Sequence, residues 1–358
     1  MPKLLKLFFM KHLWIATAFA MMCIAAQAKQ NKQSSPTEKK LAAYLMVFHQ
    51  DEDHGLHMAI SHDGYTFTAL NDGKAIIAGD TIAEQRGIRD PHIMRGPDGA
   101  FYLAMTDLHI YAKQAGYRDT EWERDGQKYG WGNNRGLVLM KSRDLIHWKR
   151  TILRIDQLGD EFSEIGCAWA PEVVYDTTRG KLMIYFTMRF GNGQTKLYYA
   201  YVNNDFNTLE TKPKVLFEYP IDGKSAIDGD ITYALGKYHL MYVAHDGKSG
   251  IKHAWSDRPD GGWQYEPDFV DFEPRACEAP HIFKRIGENK WVLMYDIFSI
   301  QPHNFGFAET TDFEHWTHLG RFNEGVMKTT NFRSPKHGAI VLLTKKEARR
   351  LEKKYNNR

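Results

Sequence analysis

The stretch Arg89-Asp90-Pro91-His92 decides the fold, because four further stretches of the chain repeat its form. Each stretch contains a Pro or Gly step, usually with an acidic residue beside it, and opens a run of strand-forming residues. The four later stretches are Trp169-Ala170-Pro171-Glu172, Ile227-Asp228-Gly229-Asp230, Glu278-Ala279-Pro280-His281 and Ser334-Pro335-Lys336-His337. A unit that recurs along a chain indicates a repeat architecture.

Each unit contains short segments rich in aromatic and β-branched residues, with turn residues between them. In the first unit the opening is followed by the segment 101–105 and, after a hairpin, by the segment 136–140. The third segment ends at an Asp with a bulky residue four positions later, as in Asp144 and Trp148. Four short strands per unit are typical of a propeller blade, so the sequence predicts an all-β fold, a five-bladed β-propeller.

The fifth unit is divided between the two ends of the chain. Its first strand is predicted at residues 337–343, and its other strands at 44–48, 56–60 and 67–69. Strands from both termini would then pair in one blade. This pairing closes the ring and leaves no open sheet edge, which is how a propeller avoids pairing with other chains.

The N-terminal residues 1–28 have the pattern of a cleavable signal peptide. They carry Lys3, Lys6 and Lys11, then an apolar run, and then Ala26-Gln27-Ala28. The apolar run is short for a membrane anchor, which needs about 20 residues. We therefore expect a periplasmic or secreted protein.

The rest of the chain divides into three segments. Residues 29–42 are rich in Lys, Gln and Ser and predict a flexible leader, and residues 43–344 form the propeller. Residues 345–358 predict a C-terminal helix, since Thr344 and Glu347 fit a capping box, or else a solvated tail.

The net charge excludes some classes of partner. The chain has 47 basic and 44 acidic residues, and cleavage after residue 28 removes three Lys, which leaves the two signs balanced. A neutral surface offers no footprint for nucleic acid or for an anionic membrane. We expect a monomer without nucleic-acid partners and, after signal cleavage, without a membrane partner.

Strand direction places the openings of the units at one end of the central channel. Asp90, Trp169, Asp228, Glu278 and His337 then ring the channel mouth, with the three carboxylates at equivalent positions of their blades. A single Asp before Pro or Gly is common turn chemistry. Several carboxylates that converge on a concave site are the equipment of glycoside hydrolysis, because one protonates the leaving oxygen and another activates water.

The first unit is the longest, because it contains an insertion at residues 108–135. The insertion lies on the carboxylate face, and its aromatic residues are Tyr111, Tyr117, Trp122, Tyr129 and Trp131. Flat apolar rings suit the C–H faces of sugar rings. The insertion is either a wall or lid for a sugar or an ordinary packed loop.

The ordered set of openings resembles the blade motifs of glycoside hydrolase family 43, an inverting family on a five-bladed propeller. The resemblance covers roughly residues 43–344. It implies an inverting enzyme in which Asp90 is the general base, Glu278 the general acid and Asp228 the carboxylate that orients the acid. It implies no required cofactor, and its substrate would be an oligosaccharide or polysaccharide.

Three further residues are candidates for contact with the substrate. Trp169 either stacks on the sugar or packs between blades, and Arg333 is a weaker match to a substrate-contacting arginine of the last blade. His337 resembles a final-blade histidine that in many relatives points into the channel, sometimes beside a structural metal ion. We expect a satisfied structural histidine here rather than a direct metal ligand.

One departure from the family pattern leaves a choice open. Gly229 stands where the family usually has Pro, and Asp230 follows it, so Asp230 is a second candidate for the orienting carboxylate. Strand alternation points Asp228 and Asp230 in the same direction. The sequence does not decide between them.

The expected function is the exo-acting removal of terminal sugars from plant-type polysaccharide or oligosaccharide side chains, with α-L-arabinofuranosidase as the first choice. The long insertion closes one side of the channel mouth, which favours a pocket over an open cleft. β-Xylosidases and galactan-trimming hydrolases of the same fold are alternatives. Retaining fructan-cleaving propellers rank lower, because their Trp-Met-Asn-Asp-Pro-Asn opening is absent from this sequence.

A non-catalytic glycan-binding propeller is the alternative from another class of protein. It would need the same ring and the same aromatic residues, but it would be free to lose the acid or the base. Asp90 and Glu278 are both present, so the sequence favours an enzyme.

Overall fold

The computed structural model describes residues 34–356, so the expected signal peptide lies outside the described residues. Within this range the chain folds into five small sheets that surround a central channel as the blades of a propeller. The predicted all-β, five-bladed fold is confirmed. Neither α-helix among the described residues has the length and apolar composition that a membrane span requires.

Blades 1 to 4 each consist of four antiparallel strands that follow one another in the chain, with the first strand innermost. Blade 1 contains β4 (Ile88–Arg95), β5 (Phe101–Asp107), β6 (Gly136–Ser142) and β7 (Trp148–Arg154). Blade 2 contains β8 (Ile165–Asp176), β9 (Lys181–Phe190), β10 (Lys196–Val202) and β11 (Lys214–Phe217). Blade 3 contains β12 (Ala226–Ala234), β13 (Lys237–Asp246), β14 (Lys248–Ser256) and β15 (Gln264–Phe269). Blade 4 contains β16 (Glu278–Lys284), β17 (Trp291–Ile297), β18 (Asn304–Thr310) and β19 (Thr317–Arg321).

Blade 5 joins the two ends of the chain, as the split fifth unit predicts. Its order from the channel outward is β21 (Lys336–Thr344), β1 (Leu41–His49), β2 (His57–Ser61), β3 (Thr66–Ala69) and β20 (Lys328–Thr329). The outermost strand β20 pairs in parallel with β3 and has no counterpart in the sequence prediction. Ring closure therefore uses strands from near both ends of the chain.

The boundary of the N-terminal leader differs from the expected one. Leu41 already pairs with Thr344, so the propeller begins two residues before its predicted start at residue 43. A short 3₁₀ turn at Glu38–Lys40 precedes it. The early start follows from pairing with the last residue of β21, a contact that composition does not reveal.

Apolar side chains fill the spaces between neighbouring blades. Successive residues of β1 show the principle: Leu45 and Val47 pack in a cluster with blade 1, whereas Met46 and Phe48 pack in a cluster with blade 4. Side chains alternate between the two faces of a strand, so a sheet buried on both faces needs apolar residues at successive positions. Equivalent clusters lie between blades 1 and 2, 2 and 3, and 3 and 4.

Two α-helices supplement the strands in the described part of the chain. The short helix α1 (Gly126–Tyr129) lies in the first-blade insertion, and α2 (Lys345–Tyr355) follows β21. In α2 the capping box of Thr344 and Glu347 forms, and Glu347 also accepts hydrogen bonds at 2.8 Å from Arg95 of blade 1. Ala348 and Leu351 are fully buried against blades 5 and 1. The helix thus packs against β1 and β21, the two inner strands of the closing blade.

Deletion of residues 336–358 should destroy the fold, because it removes β21 and exposes the paired edge of β1. We expect no cooperative thermal unfolding transition by circular dichroism, and aggregation in size-exclusion chromatography. A control deletion of residues 356–358, which lie beyond α2, should leave Tm unchanged. Wild-type Tm and solubility in the longer deletion would contradict closure of the ring by both termini.

Candidate active site

A β-bulge at the opening of every first strand positions the candidate residues. In blade 1, Arg89 pairs with Thr106 and His92 with Ala104, so the first strand contains one extra residue between these pairs. The other four blades show the same register shift. At each bulge one residue has a positive φ, namely Asp90 at 51°, Ala170 at 45°, Asp228 at 49°, Ala279 at 55° and His337 at 32°. Such a conformation costs roughly 1–2 kcal/mol for a residue other than glycine, so neighbouring groups must hold it.

The backbone N–H group of each positive-φ residue donates a hydrogen bond to a side chain of the preceding blade. In four cases the acceptor occupies the same position of its own blade: it lies on the strand next to the first strand and pairs with the residue just before that blade's bulge. The donor and acceptor pairs are Asp90 to His49 Nδ1, Ala170 to Thr106 Oγ1, Asp228 to Thr187 Oγ1 and His337 to Asp296 Oδ2, at 2.8–3.2 Å. These bonds connect the blades around the mouth of the channel.

The junction between blades 3 and 4 departs from this pattern and involves a candidate residue. The equivalent acceptor position in blade 3 is Val243, which has no polar side-chain atom. The N–H group of Ala279 instead donates to Asp228 Oδ2 at 3.2 Å. The Asp228 carboxylate is therefore tied to the residue that follows Glu278. Sequence inspection misses this link, because it depends on which residues face each other across two blades.

The candidate residues occupy two registers rather than one, which corrects the expectation of equivalent positions. Asp90, Asp228 and His337 have the positive φ, whereas Trp169 and Glu278 precede an alanine that has it. The bulge inserts a residue, so two successive side chains can serve the channel mouth. In blades 1, 3 and 5 the candidate is the positive-φ residue itself, and in blades 2 and 4 it is the residue just before the positive-φ residue.

Asp90 forms an ion pair with His337 across the junction of blades 1 and 5. Asp90 Oδ1 lies 3.2 Å from His337 Nδ1, and Asp90 Oδ2 accepts a hydrogen bond from Thr106 Oγ1 at 2.7 Å. Burial opposes both charges, but the His337 and Arg89 cations hold the pKa of Asp90 well below its usual range. The same pairing, with help from Asp228 and Glu278, outweighs burial and raises the pKa of His337 to about 9.

Glu278 has a cationic neighbour that the sequence reading missed. Lys336 Nζ lies 3.5 Å from Glu278 Oε1 and 3.6 Å from Asp296 Oδ2. Lys336 is buried, and so is Asp296, whereas the Glu278 side chain keeps 23% of its surface exposed. The available signal was the position of Lys336 in the fifth opening, one residue before His337.

Asp228 is more buried than Asp90 and Glu278, and no ion pair within residues 34–356 joins its carboxylate to a cation. Burial raises the pKa of Asp228 to about 7, with His337 opposing the shift and Glu278 and Asp90 adding to it. Its backbone is fixed through Thr187 and its side chain through Ala279. The structure thus brings Asp90, Asp228, Glu278 and His337 into one electrostatically coupled group, as the sequence predicts.

Arg89 and Asp51 form a second ion pair at the edge of this group. Arg89 Nη1 lies 2.5 Å from Asp51 Oδ1, and His303 Nε2 lies 3.7 Å from the other Asp51 oxygen. Burial opposes ionisation of Asp51, but His49 and Arg89 lower its pKa below the ordinary range. A buried arginine next to Asp90 therefore has its own carboxylate partner.

Trp169 is half-buried between the insertion and blade 2. Its Nε1 donates to the carbonyl of Gly132 at 2.9 Å, and the Arg189 guanidinium lies over its ring at 4.6 Å. The edge of Trp131, which is 55% exposed, contacts it at a centroid distance of 5.9 Å. Both sequence interpretations of Trp169 thus have support, since it packs against protein and borders an exposed aromatic ring.

Arg333 has a different environment from the other candidates. Its carbonyl accepts a hydrogen bond from Gln50 Nε2 at 2.6 Å, which places its backbone beside the top-face loop of blade 5. Its side chain is exposed, and no hydrogen bond or ion pair within residues 34–356 joins the guanidinium to the carboxylates. A role for Arg333 in substrate binding stays a prediction.

Asp230 lies in a lower layer of the channel, with its oxygens engaged by blade 4. His281 Nδ1 lies 3.0 Å from Asp230 Oδ1, and the Ile282 N–H group donates to Oδ2 at 3.0 Å. His281 Nε2 donates to the carbonyl of Ile340 in blade 5 at 3.2 Å. Both aspartates thus contact β16, but Asp230 contacts it at His281 and Ile282, whereas Asp228 contacts Ala279, the residue next to Glu278. This arrangement favours Asp228 as the orienting carboxylate.

Gly229, the departure from the family pattern, has a steric explanation. A Cβ atom there would lie 2.7 Å from Leu197 Cδ1 and 3.1 Å from Leu240 Cδ1. Leu197 of blade 2 thus fills the space that a larger residue would need. Replacement of Gly229 by proline would require these side chains to move.

The channel residues fit a hydrogen-bonded network better than a metal site. His92, Asp230 and His281 have candidate ligand atoms within 4.8 Å of one another. However, Val173 N–H donates to His92 Nδ1 at 3.2 Å, so a neutral His92 carries its proton on Nε2 and has no lone pair for a metal there. His337 is paired with Asp90, and a protonated imidazole offers no lone pair either. A structural metal ion near His337 stays a prediction, without a ligand from this ring.

Comparison with known proteins agrees with this geometry. A family model described as a probable glycosyl hydrolase domain, related to glycoside hydrolase family 43, matches residues 39–349. An α-L-arabinofuranosidase from Bifidobacterium longum subsp. longum is 26% identical over 148 residues, which cover 38% of this chain and 12% of that relative. The chain thus spans a small part of this curated relative's length.

Two solved structures share the fold at low sequence identity. An endo-1,4-β-xylanase from Bacteroides thetaiotaomicron is 14% identical with a TM-score of 0.54, covering 81% of this chain and 97% of that chain. An endo-arabinase from the same organism is 16% identical with a TM-score of 0.53, covering 74% and 88%. Because the family model spans most of the chain, the protein belongs to the glycoside hydrolases related to family 43.

Proposed function

We propose that the protein is an exo-acting, inverting α-L-arabinofuranosidase that removes terminal sugars from the side chains of plant-type polysaccharides or oligosaccharides. The observation that carries the proposal is the coupled group of Asp90, Asp228 and Glu278 at one channel mouth. Inversion needs one carboxylate that stays ionised to activate water and one carboxyl group that delivers a proton to the leaving oxygen. The three side chains differ in environment in the way these two tasks require.

Asp90 is suited to the role of general base. The cations of His337 and Arg89 keep it ionised at neutral pH. The bulge and the Thr106 hydroxyl fix its carboxylate, which reduces the number of orientations from which it attracts the proton of water. An ionised and oriented carboxylate meets the first requirement for inversion, which is the activation of water.

Glu278 is suited to the role of general acid, with Asp228 and Lys336 acting on it with opposite sign. A nearby carboxylate favours the protonated form of an acid, and a nearby ammonium group favours the ionised form. Asp228 interacts electrostatically with Glu278, and Lys336 Nζ lies 3.5 Å from it. After the proton is delivered, Lys336 would stabilise the resulting carboxylate.

The proposed sugar and the exo mode rest on weaker but concordant observations. The insertion raises aromatic residues on one side of the channel mouth, including the exposed Trp131 next to Trp169. A wall of this kind suits a terminal unit that enters end-on. The Bifidobacterium longum relative is named an α-L-arabinofuranosidase. The N-terminal pattern further supports a periplasmic or secreted location, where plant polysaccharides would be met.

A screen of nitrophenyl glycosides tests the proposed activity. We expect the highest kcat/KM on the α-L-arabinofuranoside, and lower values on the β-xyloside and β-galactoside. Glu278→Gln should lower kcat by about 10²- to 10⁴-fold on substrates with poor leaving groups, because it removes general acid catalysis. Glu314→Gln, at an exposed turn of blade 4, is the matched control and should retain activity. A higher kcat/KM on another sugar would reject the arabinofuranosidase assignment.

The anomeric configuration of the first-formed product tests the inverting mechanism. Proton NMR during early turnover should show a sugar whose configuration is opposite to that of the substrate, because Asp90 activates water rather than forming a glycosyl-enzyme. A product with retained configuration would show that one of the carboxylates acts as a nucleophile.

The pH dependence of kcat/KM on a poor leaving group tests the neighbours of Glu278. Asp228→Asn should move the alkaline limb to lower pH, because the amide no longer favours the proton on the acid. Lys336→Met should move this limb to higher pH, because it removes a cation that favours the ionised acid.

Asp230→Asn serves as the comparison for Asp228→Asn. We expect it to lower the free energy of unfolding by about 1–3 kcal/mol, because a buried hydrogen-bond network loses its acceptor, without moving the alkaline limb. If Asp230→Asn moves the limb and Asp228→Asn does not, the two residues must exchange roles.

A further inference from the structure

A cavity of about 680 Å³ lies on the face of the propeller that carries the channel mouth, beside the group of Asp90, Asp228, Glu278 and His337. We call it the distal cavity, and its lining includes Asp51, Arg86, His109, Tyr111, Tyr117 and His303. Asp51 separates it from the catalytic residues, because its carboxylate pairs with Arg89, the neighbour of Asp90. The volume lies within the range of roughly 300–1,000 Å³ that ligand sites commonly have. A chain bound at the carboxylates could therefore continue into this cavity.

The aromatic wall of the distal cavity is built by the first-blade insertion and blade 5. The rings of His54 and His109 stack at 4.0 Å, and Tyr111 and Tyr117 contact them edge-on at 5.7 and 5.4 Å. Tyr111 is 46% exposed and Tyr117 is 39% exposed, so each ring presents apolar surface to the cavity. Such surfaces match the C–H faces of sugar rings.

Hydrogen bonds hold this wall in place without a ligand. The N–H group of Ile110 donates to His54 Nε2 at 3.2 Å, and Arg118 donates to the carbonyl of His109 at 2.6 Å. The backbone approaches His109 closely at Gly87, where a Cβ atom would lie 2.7 Å from His109 Cβ. A preformed wall loses little conformational entropy when a ligand binds, which favours affinity.

The charge of the distal cavity selects against acidic ligands. Burial and nearby cations lower the pKa of His54 to about 2 and also lower the pKa of His109, so both imidazoles are neutral near pH 7. Glu52 and Asp80 lie at the rim and are exposed, and Arg86 is the cation among the described lining residues. Carboxylates accept hydrogen bonds from sugar hydroxyls but repel uronic acids. A neutral sugar chain fits this combination.

We propose that the distal cavity binds neutral sugar residues on the leaving-group side of the cleaved bond, which makes the natural substrate a branched neutral polysaccharide rather than a short glycoside. The proposal rests on the proposed hydrolase function and adds a second binding area to it. Tyr111 and Tyr117 supply the stacking surface, and the acidic rim orients hydroxyl groups. The part of the insertion that carries Tyr111 and Tyr117 then acts as a specificity element for the polymer, whereas its Trp131 borders the channel mouth that holds the terminal sugar.

The test compares two substrates on the same set of variants. The substrates are nitrophenyl α-L-arabinofuranoside, whose leaving group is too short to fill the cavity, and an arabinofuranosyl-substituted xylo-oligosaccharide. For Tyr111→Ala and Tyr117→Ala we expect kcat/KM on the oligosaccharide to fall about tenfold per lost ring, while the aryl glycoside changes little. Tyr111→Phe keeps the ring and should behave as wild type. Tyr265→Ala, a change at a tyrosine of blade 3 that is 42% exposed, is the matched control.

The outcomes separate failure of this proposal from failure of the proposed function. Equal losses on both substrates, or no loss on the oligosaccharide, would overturn the distal cavity as a binding site. If wild type instead cleaves a different aryl glycoside, the arabinofuranosidase assignment fails, and the same comparison on an oligosaccharide bearing that sugar decides the role of the cavity. An unsubstituted xylo-oligosaccharide should competitively inhibit wild type, and it should inhibit more strongly than one bearing a uronic acid. Stronger inhibition by the acidic oligosaccharide would contradict the charge argument.

Discussion

The positive-φ residues at the five bulges are the constraint on which the rest of the structure depends. Each would relax to an ordinary strand if its N–H group had no acceptor, and each acceptor lies on the preceding blade. The blades are therefore joined at the place where the bulges turn side chains toward the channel mouth. These hydrogen bonds thus add to the apolar packing between blades and also position the carboxylates. Backbone strain of this kind is commonly found at functional sites.

Charge compensation explains how several carboxylates remain close together in a largely buried site. His337 balances Asp90, Arg89 balances Asp51, and Lys336 lies between Glu278 and Asp296. Asp228 has no comparable ion pair among the described residues, and burial raises its pKa. Asp228 therefore holds a proton more readily than Asp90, whose pKa is lowered by its cationic neighbours.

The two binding areas on this face differ in how they arise from the repeat. Asp90, Asp228 and Glu278 lie at the bulges that open the first strand of every blade, so their arrangement follows from the symmetry of the propeller. The distal cavity uses an insertion found in one blade, together with the loop of the closing blade. The apolar clusters on either side of blade 1 contain no residue of the insertion. Under the two proposals, catalysis uses positions that recur in the blades, and polymer recognition uses the insertion of one blade.

The sequence by itself determined the repeat, the number of blades and the shared closing blade, because turn residues and strand patterns are local signals. Only the tertiary structure decided that Asp228 is tied to Ala279 while Asp230 bonds to His281, since both partners lie on a different blade. It also revealed Lys336 beside Glu278, and the split of the candidates into two registers. These features depend on which side chains meet across different blades, and contacts between residues far apart in the chain leave no periodic trace in the sequence.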